Sequence, residues 1–239
     1  MINIVIPAAG RGSRFSSLTS TPKPFIDIKG KIMIDHAISS IVSNYVDTFQ
    51  VHVCFHKDHI KYENSISELK NKYDLHLTYI DYITSGQAET VNILVKKISN
   101  NYPILIANCD QIIEWDINNF ISYCFLNNLD GCIPVFSSDS DKWSYAQTDD
   151  NGFVLKTVEK KVISNNATVG IYYWKNKEIC IKSIEDMKSS NDMTNNEHYI
   201  CPAYNYLIKN GGKVMSWNDI IMYGVGTPDD LKSYIELQG

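Results

Sequence analysis

The stretch Ile4-Val5-Ile6-Pro7-Ala8-Ala9-Gly10-Arg11-Gly12-Ser13-Arg14, followed closely by Pro22-Lys23-Pro24, decides how the rest of the chain is read. Ile2, Ile4, Val5 and Ile6 form an apolar run that predicts a buried strand. The run stops in small residues, two glycines and two arginines. Small side chains let backbone close on a ligand, and glycine permits the positive φ of a tight loop. Successive N–H groups in such a loop form a concave anion site, which guanidinium groups reinforce. Arg11 and Arg14 are the only arginines, every other basic side chain being lysine. Their planar, bidentate fork suits phosphate better than the hydrated point charge of lysine.

With 239 residues the chain is read as one domain, 1–239, with a core of useful size. A hydrophobic share of 44% and a charged share of 21% are ordinary for a globular protein. The net charge of −5, without a basic stripe, argues against a nucleic-acid partner. The six cysteines are scattered without a Cys-x-x-Cys pair, which suggests reduced thiols in a cytoplasmic setting. No secretory segment and no stretch of membrane-spanning length is expected.

Beyond the first loop, strand and helix patterns alternate. Residues 32–44, 58–71 and 86–98 carry helical stripes; 50–55, 76–80 and 103–107 read as strands. This alternation predicts an α/β fold, a mostly parallel sheet with helices on both faces and ligands beyond the carboxyl ends of its strands. Asp110 follows the strand at 103–107 and so faces the glycine loop. One carboxylate beside phosphates suits Mg²⁺, which takes few protein ligands. Residues 142–161 read as a hairpin around Asp149–Gly152, and 167–174 as one further strand. Together these make a small β lobe beside the main sheet. Ser189–Asn196 reads as a mobile loop. Thr227 and Pro228 start a last helix.

The string Pro-Ala-Ala-Gly-x-Gly-Ser-Arg with Pro-Lys-Pro resembles the signature of sugar-phosphate nucleotidyltransferases, the nucleotide-sugar pyrophosphorylases. Ser13 stands for the usual threonine and keeps its hydroxyl. The loop lacks the Gly-Lys-Ser/Thr of ATPases and the third glycine of dinucleotide-binding folds. The resemblance runs on through a Tyr/Gly hairpin, Glu159-Lys160, a Gly-x-Tyr strand at Gly170 and Gly226-Thr227-Pro228, and so covers nearly the whole chain. It is the short form, without a C-terminal β-helix, like thymidylyltransferases and the cytidylyltransferases of capsule assembly.

The resemblance implies an enzyme that joins a nucleoside triphosphate to a sugar- or polyol-phosphate and releases pyrophosphate. It leans towards CTP, leaving dTTP, UTP and GTP open, and towards capsule or other surface polysaccharide. Residues 1–136 would mainly bind nucleotide and 137–239 mainly acceptor. Arg14, Lys23 and Asp110 would be catalytic, with Asp110 holding Mg²⁺. Pro7, Ala8, Ala9, Gly10, Arg11, Gly12 and Ser13 would hold the triphosphate, and Gly86 and Gln87 the base. Tyr145, Glu159, Lys160 and Gly170 would hold the acceptor, with Lys161 an alternative to Lys160. Gly224 stands where the family often has a second metal-binding aspartate, for which Asp219 is a distant candidate. Enzymes of this kind often form homodimers. The methylerythritol-route cytidylyltransferase begins alike, but its His-Asp-Ala-Ala-Arg-Pro is replaced here by Ala107-Asn108-Cys109-Asp110-Gln111. A glycosyltransferase of this fold would show Asp-x-Asp at that place. A non-catalytic regulatory homologue would not need Arg14, Lys23 and Asp110 together.

Overall fold

The computed structural model describes residues 1–10 and 12–238. Its strands are β1 (Ile2–Pro7), β2 (Asp27–Ile28), β3 (Lys31–Ile32), β4 (Phe49–His56), β5 (Leu75–Ile80), β6 (Ile104–Ala107), β7 (Gln111–Trp115), β8 (Gly131–Ser137), β9 (Tyr145–Thr148), β10 (Val154–Val158), β11 (Asn166–Thr168), β12 (Ile171–Trp174), β13 (Val214–Trp217) and β14 (Ile220–Gly224). The helices are α1 (Met33–Val42), α2 (Glu63–Lys72), α3 (Gln87–Val95), α4 (Ile117–Leu126), α5 (Lys177–Ser189), α6 (Ala203–Lys209) and α7 (Pro228–Leu237). Among the described residues, no helix is long and apolar enough to cross a membrane.

β1 lies between β4 and β6, parallel to both, and β5 continues the parallel part beyond β4. The sheet is mixed, because β12 pairs antiparallel with β6 and with β8, and β11, β9 and β10 extend it antiparallel. Of these antiparallel pairs only β9–β10 is a hairpin of consecutive strands; the others join strands separated by intervening elements. β1 shows why its sequence is apolar on both sides. Ile4 and Ile6 face one core with Ile34, Ile38, Phe55 and Phe120. Val5 faces the other with Ala88, Val91, Trp174 and Tyr204. A strand sandwiched by helices has no solvent face to alternate with.

A third, smaller core of Phe15, Ile26, Ile28, Met33, Ile112 and Val225 ties the segment after the glycine loop to β7 and the end of β14. This cluster fixes Lys23 relative to Asp110.

Two elements differ from the sequence expectation. The stripe over 58–71 divides into a 3₁₀ segment, Lys57–Tyr62, and α2. The His56 imidazole accepts the Asp58 N–H and turns the chain there. The strand expected over 167–174 is broken into β11 and β12 at Gly170, whose φ of 77° leaves the extended region. β7 and β14 form a separate two-stranded ribbon that periodicity alone does not reveal.

Candidate active site

The carboxyl ends of β1 and β6, the loop before α3 and the segments just before β9 and just after β10 enclose a cleft of about 960 Å³. Pro7, Ala9, Gly10, Gly12, Ser13 and Arg14 line it from the first loop. Ala8 does not: its side chain is buried in the core, and its N–H is spent on the Cys54 carbonyl. Arg11 lies outside the described residues. Gly12 adopts φ 60°, and a Cβ there would sit 3.0 Å from the Lys23 Cβ, so the glycine admits the Pro22–Pro24 segment against the loop.

Lys23 and Asp110 meet on the cleft floor, Nζ to Oδ2 at 2.8 Å. Burial on its own would lower the Lys23 ammonium, but the Asp110 carboxylate outweighs it and holds the group above its usual value. Burial would raise Asp110, yet Lys23, aided by Arg14, holds it below the carboxylate range. Both groups therefore stay charged where they face the cleft. The neighbouring chain leaves room for that carboxylate: a Cβ on Gly226 would come within 2.5 Å of Asp110 Oδ2. Gly224 also lines the cleft, against the Trp143 ring, and supplies no carboxylate. Asp219 is no substitute. In the β7–β14 ribbon Gly224 faces Gln111 while Ile220 faces Trp115, so Asp219 lies at the far end, about 16 Å along the strand.

Gly86 and Gln87 border the cleft at the start of α3. Gly86 carries φ 133°, and a Cβ there would strike the His198 backbone at 2.6 Å. That contact pairs the 85–88 turn with the chain around His198 through Ala88 N to His198 O and His198 N to Ser85 O. Neither Ser85 nor Thr84 caps the helix end. Gln87 Nε2 donates to Asn108 Oδ1.

On the opposite wall Glu159 is buried, and the Ser144 hydroxyl donates to it. Burial raises its carboxyl above the usual range, and Glu197 adds to the shift. Lys160, with φ 52°, enters the cleft and donates to the Tyr199 hydroxyl at 2.6 Å. Lys161 is exposed and does not line the cleft. Gly170 borders it too, packed against Gln111 and Asn108. Tyr145 is a correction. Its ring is fully buried and its hydroxyl donates to the Ser140 carbonyl, so it braces the hairpin from behind. Strand alternation explains this, because its neighbour Ser144 takes the cleft side.

Sequence reading missed Trp143, Tyr172, Tyr199, Asn195, Glu197 and Asp230, all of which line the cleft. Asn195 belongs to the segment Ser189–Asn196 read only as a mobile loop, and Glu197 and Tyr199 follow directly on it. No periodicity marks such residues, although Tyr199 beside Asn-Asn-Glu-His is an unusual aromatic in polar surroundings. Asp230 accepts from Lys142 at 3.0 Å and from the Thr227 hydroxyl at 2.7 Å.

A family model described as nucleotidyl transferase matches residues 3–236. A bifunctional protein GlmU from Methanocaldococcus jannaschii is 27% identical over 241 residues, covering 96% of this chain and 52% of that protein. The chain thus spans about half the length of the curated relatives it matches. A nucleoside-diphosphate-sugar pyrophosphorylase from Vibrio cholerae RC9 superimposes with a TM-score of 0.82 at 24% identity, covering 98% of this chain and 99% of that one. The inositol-1-phosphate CTP transferase of T. maritima gives 0.75 at 16% identity, covering 98% and 94%. At these identities the structural likeness speaks for the fold.

Proposed function

The chain belongs to the nucleotidyl transferase family, and we propose that its cleft joins a nucleoside triphosphate to a sugar- or polyol-phosphate, releasing pyrophosphate. CTP is the favoured donor, with dTTP, UTP and GTP open, since the structural relatives carry CTP, thymidylyl and UDP names alike; the reaction takes place in the cytoplasm and its product serves surface or capsule polysaccharide. Residues 1–136 serve mainly the nucleotide and 137–239 mainly the acceptor.

The observation that carries the reading is the Lys23–Asp110 pair between the arginine loop and the Glu159–Lys160 wall. A phosphate oxygen of the acceptor attacks the α-phosphorus. The bond from that phosphorus to its bridging oxygen breaks, and pyrophosphate leaves with the electron pair. Lys23 neutralises charge on the α-phosphate and acceptor phosphate, and Arg14 the charge growing on the leaving group. Lys160 holds the acceptor phosphate and Glu159 accepts from its hydroxyls. No covalent intermediate is needed, so catalysis is positioning and charge stabilisation.

Asp110 is the residue that would hold Mg²⁺. It fits that role: a charged carboxylate at the cleft, given room by Gly226. Among the described residues no group of three or more His, Cys, Asp or Glu could hold a metal, so phosphate oxygens and water would complete the shell. The ion would supply charge neutralisation at the triphosphate.

The test is pyrophosphate release with Mg²⁺ across a matrix of four nucleoside triphosphates and a panel of sugar- and polyol-phosphates, with acceptor-free controls. Acceptor-dependent release in one combination supports the reading and names both substrates. Silence throughout, from a folded protein that binds nucleotide, overturns it.

A further inference from the structure

We propose that the outer face of the glycine loop carries a second ligand site, separate from the cleft and built for the hydroxyls of a neutral sugar or of a nucleoside's ribose. The site is a cavity of about 380 Å³ between residues 16–22 and the 3₁₀ segment Lys57–Tyr62. Ala9, Gly10, Gly12 and Ile83 line both this cavity and the cleft, so the loop is a wall common to the two. On the proposed reading of the cleft, a ligand seated here touches the far side of the backbone that faces the triphosphate.

The lining is rich in hydroxyls and poor in charge. Residues 16–21 read Ser-Ser-Leu-Thr-Ser-Thr, and none of them has a part in the proposed reaction. Ser16, Thr19, Ser20 and Thr21 line the cavity. Ser16 Oγ donates to the Ser13 carbonyl and Thr19 Oγ1 accepts from the Thr21 N–H, which fixes two of the hydroxyls. Each still has hydrogen-bonding capacity to offer, since a hydroxyl has one donor and two acceptor positions. Among the described lining residues, Lys61 and Asp58 offset each other, and Asp58 Oδ2 lies 3.3 Å from His56 Nδ1. Such a surface does not select a phosphate. It suits groups that donate and accept at once, as sugar hydroxyls do, while Pro22 and Ile83 offer apolar edges to the C–H faces of a ring.

His59 is the second observation. It lines the cavity, is 5% exposed, and packs edge-on against Phe25 and Phe55 at 5.5 and 5.7 Å. Its Nδ1 is buried without a hydrogen-bond partner among the described residues. Burial, with His56 beside it, lowers the imidazole to about 4. At neutral pH the ring is therefore uncharged, with one nitrogen a donor and the other an acceptor. A phenylalanine would complete the same aromatic cluster without the cost of an unpaired polar atom. A ligand hydroxyl supplies the partner that the protein does not.

The test follows the imidazole resonances of His59, assigned by their loss in His59→Phe, while glucose, ribose, cytidine or inorganic phosphate is added to the full chain. Movement with at least one of the first three, and none with phosphate, is expected. Calorimetry on that ligand should show binding lost in His59→Phe and weakened about tenfold in Thr21→Val, the scale of one hydrogen bond. Lys160→Ala, on the far wall of the cleft, should leave its affinity unchanged. Silence with all three sugars and nucleosides, or movement with phosphate instead, overturns the inference. So does an affinity that survives Thr21→Val intact, a readout that stands even if His59→Phe fails to fold. Loss of affinity in Lys160→Ala would put the ligand in the cleft and overturn the site as well. None of these outcomes depends on turnover, so the pyrophosphate assay judges the proposed reaction separately.

Discussion

Lys23 donates to Asp110 at 2.8 Å across 87 residues of chain, and the pair sits on the floor of the cleft between the arginine loop and the Glu159 wall. The small core of Phe15, Ile26, Met33, Ile112 and Val225 makes that meeting reproducible, because it packs both approaching segments at once. A divalent ion reaching Asp110 would share its carboxylate with Lys23, and on the proposed reading ammonium and metal would then act on the same phosphates.

Removing the ammonium tests the centre directly. Lys23→Ala is expected to lower kcat by two to three decades, about 3–4 kcal/mol of transition-state stabilisation, with circular dichroism unchanged. Arg14 is exposed on the loop, so Arg14→Ala should lower kcat similarly without loss of melting temperature.

Gly226→Ala probes the space beside the carboxylate. Its Cβ would lie 2.5 Å from Asp110 Oδ2, and position 226 does not carry the positive φ that would strain alanine. The protein should fold, bind acceptor normally and need a higher Mg²⁺ concentration for half-maximal rate. An unchanged Mg²⁺ dependence would remove Asp110 from the metal's shell.

Glu159 predicts a stability change of unusual sign. Burial raises its carboxyl above the unfolded value of 4.5, so ionisation at neutral pH opposes folding. Glu159→Gln should therefore melt higher than the unaltered protein near neutrality. The gap should close as pH falls through the raised value towards the unfolded one. The same variant should bind acceptor less well, because the neutral amide is a weaker acceptor of hydroxyl hydrogens.

His52 predicts acid sensitivity away from the cleft. It is buried on β4, stacked on His76 of β5 at 4.8 Å, and hydrogen-bonded to Asn3. Burial, with His76 beside it, lowers the imidazole to about 4 from 6.5. The unfolded chain binds this proton more tightly, so the stability from neutral His52 is full above 6.5 and lost as pH falls towards 4. The total is roughly 3 kcal/mol. Melting curves over this window should fall less steeply for His52→Gln.

All six cysteines are buried as free thiols, and burial pushes Cys54 and Cys109 up to about 11. A thiolate-detecting reagent should label the folded protein slowly. Rapid labelling should appear only in denaturant. Fast reaction of any thiol in the native state would show an opening of these cores.

Much of this was legible in the chain because it is local. The apolar run before Gly10, the stripes of α1 and α3, and the Thr227-Pro228 helix start each occupy adjacent residues, where periodicity and capping chemistry act directly. The Asp149–Gly152 turn is of the same kind. The string of loop and Pro-Lys also carried the family resemblance. Tyr145 and Ser144 show the limit, since a hairpin pattern does not say which of two neighbours faces the cleft. Lys160 and Lys161 show it again: only the 52° turn at Lys160 sends one inward.

The sequence by itself determined the strand of β1 and the glycine loop after it, since these follow from residue chemistry and short-range spacing, whereas Lys23 and Glu159 stood out only through the family resemblance. The tertiary structure alone decided that Gln111 and Asn108 fill the notch of Gly170, that Tyr199 meets Lys160, and that Gly226 leaves room beside Asp110. Those contacts join residues tens of positions apart, and no local preference encodes them. They arise where the ends of many strands are brought to one edge by burial of the two apolar faces of the sheet.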